Sequence, residues 1–465
     1  MTPQTAPTYH VVLRAGVGDN FSVDAFGAAR LVGLRMDGAP GDDSWCVNEA
    51  VWEPLRQAGI APSQEAVDFF RFAVTAYSAD LLVPHRTAFD RWSRHIVLYL
   101  PVADRRRWEG ASAALGELLD FLSGDRWELK FRERCVSPPP RRRRMQNRPT
   151  PITADTVSLL SGGLDSAIGG ADLLADGHAV AFVSHNAKSG GATFSSPSQQ
   201  SVLAVLRRHF ASERVHPFRF RLNPPAAVSG ETESVTTTRS RSIIFFALGL
   251  LVASALDAAH GGTPVPLVVP ENGLISLNVP LTKARLGSWS TRTTHPHTLA
   301  MLREAMRMLG LSTPILTPYA TTTKGEMLVA WAQRDRGIAE ELVAASNSCA
   351  HPNQSRFLSS EQRQPHCGTC VPCIIRRAST QRAGVDDGRY SFDLPSALPN
   401  LKPRRAADAL AFVYALETRR RPAGPFDINL SGPLHVDTDD DLQALLRVYD
   451  AGMDEVAHLL GVRIQ

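Results

Sequence analysis

The chain is poor in cysteine, in net charge and in long apolar runs, and each shortage excludes a class of protein. Six cysteines in 465 residues are too few for a disulfide-stapled secreted scaffold. Lys plus Arg is 50 and Asp plus Glu is 46, so the net charge of +4 does not by itself indicate a nucleic-acid partner. The longest apolar run, Ile243 to Leu256, is shorter than the roughly 20 residues that span a bilayer. It therefore predicts a buried core helix and no membrane association.

The first residues contain no basic segment followed by an apolar one, so we expect no signal peptide and a cytoplasmic location. The composition is 43% hydrophobic and 21% charged, which is typical of a globular protein. At about 150 residues per domain, the length predicts two or three domains.

The order of apolar runs and turn residues predicts an α/β protein with an accessory unit. Residues 1–136 mix strand-like and helix-like runs and predict a smaller α+β domain without a recognisable catalytic motif. Residues 137–151, rich in proline and arginine, predict a linker, with a clamp for phosphates or for an acidic partner as the alternative. In 152–385 strands alternate with helices, which predicts a doubly wound parallel sheet that binds ligands at the carboxyl ends of its strands. Residues 386–465 predict a helical extension.

A glycine-rich segment, Ser161-Gly162-Gly163-Leu164-Asp165-Ser166, follows the first predicted strand of that sheet and opens its first predicted helix. Glycines let the backbone approach a phosphate, and free N–H groups at a helix start bind anions. Ser161 and Ser166 add hydroxyl donors. Asp165, expected to face solvent, would hold the loop or a magnesium ion on pyrophosphate. The segment predicts a phosphate site, and a plain strand–turn–helix loop is the alternative interpretation.

Four cysteines have the spacing C-x17-C-x2-C-x2-C, which is typical of a zinc knuckle. They are Cys349, Cys367, Cys370 and Cys373. Four thiolates complete a tetrahedral zinc ion and leave no open position, so the spacing predicts structural rather than catalytic zinc. His351 and His366 lie alongside and are the alternative ligands.

The two motifs together resemble those of a known family. SGGLDS is the signature of PP-loop ATP pyrophosphatases, and Cys-Gly-x-Cys-x-x-Cys-x-x-Arg, ending at Arg376, is similar to the zinc motif of the 7-cyano-7-deazaguanine synthases, QueC. Arg241-Ser242-Ile243 and Thr317-Pro318 followed by Lys324 resemble further segments of that family. The likeness covers roughly 155–385. The long regions on either side make the chain most similar to the QueC-like proteins of bacterial anti-phage defence, in particular the QatC proteins of the Qat system.

This resemblance implies a PP-loop ligase that uses ATP, Mg²⁺ and structural Zn²⁺ and releases AMP and pyrophosphate. Residues Ser161 to Ser166 would hold the pyrophosphate, with Asp165 and Ser166 also catalytic. Lys324 and Arg241 would place positive charge on the α-phosphate, and a surface salt bridge is the alternative role for each.

The resemblance also implies the substrate, 7-carboxy-7-deazaguanine or a related deazapurine. Glu271 and Asn272 would read its guanine-like edge, and Arg292 would contact an anion. In a defence setting, an amine of a partner protein bound by the N-terminal domain could capture the adenylated intermediate.

Two other functions stay open. A PP-loop enzyme that modifies tRNA would use the arginine-rich linker and the zinc knuckle to hold RNA, although the small net charge makes a nucleic-acid partner unexpected. A non-catalytic QueC-like scaffold in a defence complex would need no serine or aspartate in the glycine-rich segment, so the intact SGGLDS argues against it.

Overall fold

The computed structural model describes residues 7–16, 18–24, 29–36, 45–134, 150–186, 195–223, 239–283, 292–351 and 356–462. These residues form an α/β structure with two sheets in which nearly all strands are parallel. Residues 137–149, most of the predicted linker, lie outside the described ranges.

The described strands form two separate sheets. The strands are β1 (Thr8–Arg14), β2 (Arg30–Arg35), β3 (Trp45–Cys46), β4 (Asn48–Ala50), β5 (His95–Val102), β6 (Arg126–Glu133), β7 (Thr156–Leu159), β8 (Val180–Asn186), β9 (Val215–Asn223), β10 (Leu267–Val268) and β11 (Ile315–Leu316). The first sheet has the order β3-β2-β1-β5-β6, and the second has the order β11-β10-β7-β8-β9-β4.

Helices connect these strands and form the C-terminal part. They are α1 (Trp52–Gln57), α2 (Gln64–Leu82), α3 (Arg105–Ser123), α4 (Leu164–Ala175), α5 (Ser195–His209), α6 (Arg241–Ala259), α7 (Gly273–Leu277), α8 (Pro296–Leu309), α9 (Lys324–Arg334), α10 (Arg336–Ala345), α11 (Val371–Arg382), α12 (Pro403–Thr418), α13 (Pro425–Ile428) and α14 (Asp439–Leu460).

The first sheet corrects the expected fold class of the N-terminal region. All four neighbouring strand pairs in it are parallel. Parallel strands require crossover connections, and α2 and α3 precede and follow β5 in that role. The prediction of an α+β domain is therefore wrong, and this region is α/β. The sequence indicated strands in this region but did not show which of them pair.

The strand order of the second sheet indicates where a ligand-binding crevice would lie. The chain moves outward from β7 through β8 to β9 and then returns to the other side of β7 with β10 and β11. The order therefore reverses between β7 and β10, and open parallel sheets bind ligands at the carboxyl ends of the strands beside such a reversal. Strand β4 from the N-terminal region adds an antiparallel edge next to β9.

The apolar run of α6 forms the centre of the protein. Ile243 to Leu256 are buried apart from Phe245, as predicted for a core helix. The helix is long and apolar enough to cross a membrane, but most of it is buried inside the structure, which is consistent with a soluble protein. Helix α2 packs against α6, and α3 packs against α8, so one apolar core extends across both sheets. The predicted domain boundaries stay a prediction.

A buried arginine joins the N-terminal region to α6. The Arg94 guanidinium pairs with Asp80 at 2.6 Å and with Asp125 at 2.5 Å, and all three side chains are almost fully buried. Asp80 also accepts hydrogen bonds from the backbone N–H and the hydroxyl of Ser240, the residue before α6. Because Ser240 precedes Arg241, this network fixes the start of the helix that carries a predicted site residue.

Candidate phosphate loop and cysteine cluster

The glycine-rich segment joins β7 to α4 at the strand-order reversal. Gly162 has a φ of +84°, a conformation that favours glycine. A Cβ at this position would lie 2.6 Å from Ser198 Oγ and 2.9 Å from the backbone N of Gln199. Both the backbone conformation and the closeness of α5 therefore require glycine here. The segment is termed the phosphate loop below.

The hydroxyl groups of the two predicted serines form hydrogen bonds within the phosphate loop. Ser161 Oγ accepts a hydrogen bond from the N–H of Gly163 at 3.1 Å and lies 3.1 Å from Ser166 Oγ. Ser166 Oγ donates to the carbonyl oxygen of Gly163 at 2.9 Å. The structure thus brings both hydroxyls to the start of α4, where they can act with the backbone N–H groups.

Asp165 lies at the centre of a buried polar cluster. Its Oδ1 is 3.1 Å from Lys324 Nζ, and its Oδ2 accepts from Asn272 Nδ2 at 2.6 Å. Only 13% of the Asp165 side chain and 4% of the Lys324 side chain are exposed, so the expectation of a solvent-facing aspartate is wrong. Lys324 of α9 and Asn272, which follows β10, contact the carboxylate and leave only a small part of it exposed.

The three side chains of this cluster come from the carboxyl ends of three neighbouring strands. Asp165 follows β7, Asn272 follows β10, and Lys324 follows β11. Lys324 is the first residue of α9, whose start is fixed by a capping box between Thr323 and Glu326. The capping box therefore fixes Lys324 at a rigid helix end rather than in a loop.

Glu271 faces a separate cavity beside this cluster. Its Oε2 accepts a hydrogen bond from Thr294 Oγ1 at 2.6 Å. Burial raises the pKa of Glu271 above its ordinary value, and the nearby negative charge of Asp165 acts in the same direction. The cavity has a volume of about 370 Å³ and is lined also by Arg303 and by Leu434 to Asp437 of the C-terminal part. Asn272, predicted to read a substrate, instead uses its amide to hold Asp165.

The two remaining predicted arginines lie apart from the phosphate loop. Arg241 is at the start of α6, with its guanidinium 5.4 Å from the ring centroid of Phe245. Burial and, after it, the charge of Arg241 lower the pKa of His185, which lies near the carboxyl end of β8. Arg241 is therefore one strand away from the loop. Arg292 donates to the carbonyl oxygen of Phe121 at 3.0 Å and lies over that ring, so it binds α3 of the N-terminal region.

The four predicted cysteines form one cluster. The Sγ atoms of Cys349, Cys367, Cys370 and Cys373 all lie within 4.8 Å of one another, and the group could hold a metal ion such as zinc. The N–H groups of Thr369 and Cys370 each point at Cys367 Sγ from 3.4 Å, which favours a thiolate there. Hydrogen bonds from the other three thiols, Cys349 first, lower the pKa of Cys367. The predicted ligand set is therefore brought together.

The two histidines beside the motif do not join this ligand group. His366 is fully buried, and burial lowers its pKa to about 3, so its ring is neutral at physiological pH. His351 is exposed and contributes its backbone N–H, which lies 3.3 Å from Cys349 Sγ.

No protein-family model, curated protein or solved structure matches the chain. A function for it therefore has to be argued from the phosphate loop, the Asp165 cluster and the cysteine cluster.

Two groups outside the predicted site residues support the phosphate loop. Asn347 and Ser348, directly before Cys349, bind the loop backbone, and their place next to a predicted metal ligand was the available signal. On the outer turn of α4, Asp172 accepts from Tyr319 Oη and, at 2.6 Å, from Trp331 Nε1. No local pattern marks this second contact, because its partners are distant in sequence.

Proposed function

We propose that the chain is an ATP-dependent adenylating ligase of the QueC-like kind. It binds ATP at the phosphate loop, transfers AMP to the carboxylate of a deazapurine such as 7-carboxy-7-deazaguanine, and releases pyrophosphate. A carboxylate is a poor electrophile until AMP gives it a leaving group, so adenylation prepares it for attack by an amine. The setting we propose is bacterial anti-phage defence.

The observation that carries the proposal is the Asp165 cluster at the start of α4. A glycine-rich turn, two hydroxyls and the N-terminus of a helix suit an anion, and Lys324 supplies a buried positive charge within reach of it. Asp165 would hold the magnesium ion that accompanies the nucleotide and neutralises the charge of the leaving pyrophosphate. A loop that only connected a strand to a helix would not need a buried ion pair at this point.

The cavity at Glu271 supports a planar substrate with donor groups on one edge. A carboxylate accepts hydrogen bonds from ring N–H and amino groups, and the apolar side chains around it suit the faces of a heteroaromatic ring. Because Asn272 connects this region to Asp165, the substrate carboxylate and the α-phosphate would lie on the same side of the sheet. Arg241 stays our second candidate for the α-phosphate.

The cysteine cluster has a structural role in this proposal. Four thiolates would bind zinc and leave no position for a substrate, so the metal would hold the segment around Cys349 against the turn before α11. The N-terminal region would bind a partner protein of the same defence operon. An amine of that partner would attack the adenylated carboxylate and release AMP.

The test is product analysis with purified protein, ATP, magnesium and 7-carboxy-7-deazaguanine. We expect AMP and pyrophosphate, formed only when the carboxylate is present. Lys324→Met should abolish the reaction, whereas Lys402→Met, at an exposed lysine before α12, should leave it unchanged. Release of ADP and phosphate, or AMP formation that ignores the carboxylate, would contradict the proposal.

A further inference from the structure

The phosphate loop and the cysteine cluster are joined by two adjacent residues. The backbone N–H of Asn347 donates to the carbonyl oxygen of Gly162 at 2.8 Å. Ser348 Oγ accepts from the backbone N–H of Leu164, the first residue of α4, at 3.2 Å. Both residues precede Cys349, so the segment that supplies one thiolate also holds the loop at two positions.

The side chain of Asn347 connects the two halves of the cysteine cluster, which are the segment at Cys349 and the segment that begins at Cys367. Its Oδ1 accepts from the backbone N–H of Cys349 at 2.9 Å, and its Nδ2 donates to the carbonyl oxygen of Pro365 at 3.3 Å. Pro365 lies two residues before Cys367. Asn347 therefore contacts both the Cys349 segment and the segment that leads to Cys367.

A metal ion on the four thiolates would hold those two segments together. Zinc binding to cysteine sites contributes directly to folding, so loss of the ion would free the two halves of the cluster from each other. The opposite side of Gly162 is already fixed against Ser198 of α5. The loop is thus held between a rigid helix on one side and a metal-dependent segment on the other.

We propose that Asn347 and Ser348 are positioning residues that couple metal occupancy of the cysteine cluster to the anion affinity of the phosphate loop. This inference rests on the proposed pyrophosphate-binding role of the loop. The metal then acts on the nucleotide site without touching the nucleotide, because the carbonyl of Gly162 and the N–H of Leu164 keep their directions only while the segment before Cys349 is fixed.

The experiment is calorimetric titration of the full chain, loaded with zinc, with magnesium pyrophosphate. Ser348→Ala should weaken binding by about fivefold, the factor expected for one neutral hydrogen bond, and Ser348→Thr, which keeps the hydroxyl, should restore it. Asn347→Ala should weaken binding at least as much while zinc content stays full, since all four thiolates remain. Ser201→Ala, at an exposed serine of α5, is the matched control and should bind like wild type.

A chelator arm completes the test, with circular dichroism to identify protein that remains folded. Folded, metal-free wild type should bind pyrophosphate more weakly than the zinc-loaded protein and should recover when zinc returns. If zinc-loaded wild type binds no pyrophosphate, the proposed function fails. If wild type binds and Ser348→Ala, Asn347→Ala and folded metal-free protein all bind equally well, the coupling is refuted and the proposed function stands.

Discussion

Removing the carboxylate of Asp165 should cost stability as well as activity. In Asp165→Ala the ammonium of Lys324, a side chain that is only 4% exposed, loses the ion-pair partner that lies 3.1 Å away. Breaking a buried ion pair from one side costs about 3–5 kcal/mol, because a buried charge remains unpaired. Since 13% of the Asp165 side chain is exposed, water reaches the site, and we expect the lower end, about 3 kcal/mol.

The expected thermal shift follows from the size of the chain. At about 2.1 cal/mol/K of unfolding entropy per residue, 465 residues that unfold together shift by roughly 1 °C for each kcal/mol. Asp165→Ala should therefore unfold about 3 °C below wild type by calorimetry. The rate of AMP release should fall by at least about 100-fold, which is the usual loss when one group that stabilises charge in the transition state is removed.

A double-mutant cycle separates the ion pair from other effects. Lys324→Met removes the ammonium and keeps an apolar stem of similar length, so adding it to Asp165→Ala should recover part of the lost stability. All three variants should stay inactive. A wild-type unfolding temperature for Asp165→Ala, with no coupling between the two sites, would refute the argument that this pair is buried and formed in the free protein.

Four further changes test other parts of the structure. Cys370→Ala should lose metal and unfold at lower temperature, whereas Cys46→Ala in β3 should keep its metal; full metal in the Cys370 variant would rule out a structural ligand. Gly162→Ala should abolish calorimetric binding of pyrophosphate because its Cβ has no space, and normal binding would contradict the loop geometry. Arg94→Leu should lower the free energy of unfolding in urea by about 3–5 kcal/mol, since two buried carboxylates lose their partner, and an unchanged urea midpoint would contradict this. Burial lowers the pKa of His185 from 6.5 to about 4, so the unfolded chain binds more protons in that window; stability should fall as pH drops from 6.5 to 4, and His185→Gln should flatten this slope.

The second sheet could be predicted because its signals are local. Helix α8, for example, begins at Pro296 and is ended by Gly310, which has a φ of +73°. A proline at the first helical position and a glycine after the last one are local signals, so the bounds of this helix could be predicted without tertiary information. The phosphate loop and the cysteine spacing are local in the same sense.

Contacts between distant residues could not be predicted in this way. The direction of the strands in the first sheet depends on which strands pair, and the paired strands are distant from one another in the sequence. Arg292 could bind a phosphate as well as the carbonyl oxygen of Phe121, and only the packing of α3 against α8 decides between them. Asn272 was assigned to a substrate for the same reason, because its partner Asp165 lies far away in sequence.

Burial alone does not separate a structural cation from a functional one, and the comparison of Arg94 with Lys324 shows why. Arg94 directs its three nitrogens at Asp125, at Asp80 and at two backbone carbonyl oxygens, so its donors are used within the fold. In the described residues, Lys324 Nζ has an ion pair with one oxygen of Asp165, and an ammonium has three donors. The lysine also lies at the carboxyl ends of parallel strands, beside the strand-order reversal, whereas the arginine lies between α2 and β5. This position, and the donors for which the described residues offer no acceptor, are why we propose Lys324, and not Arg94, as the cation that a bound phosphate would meet.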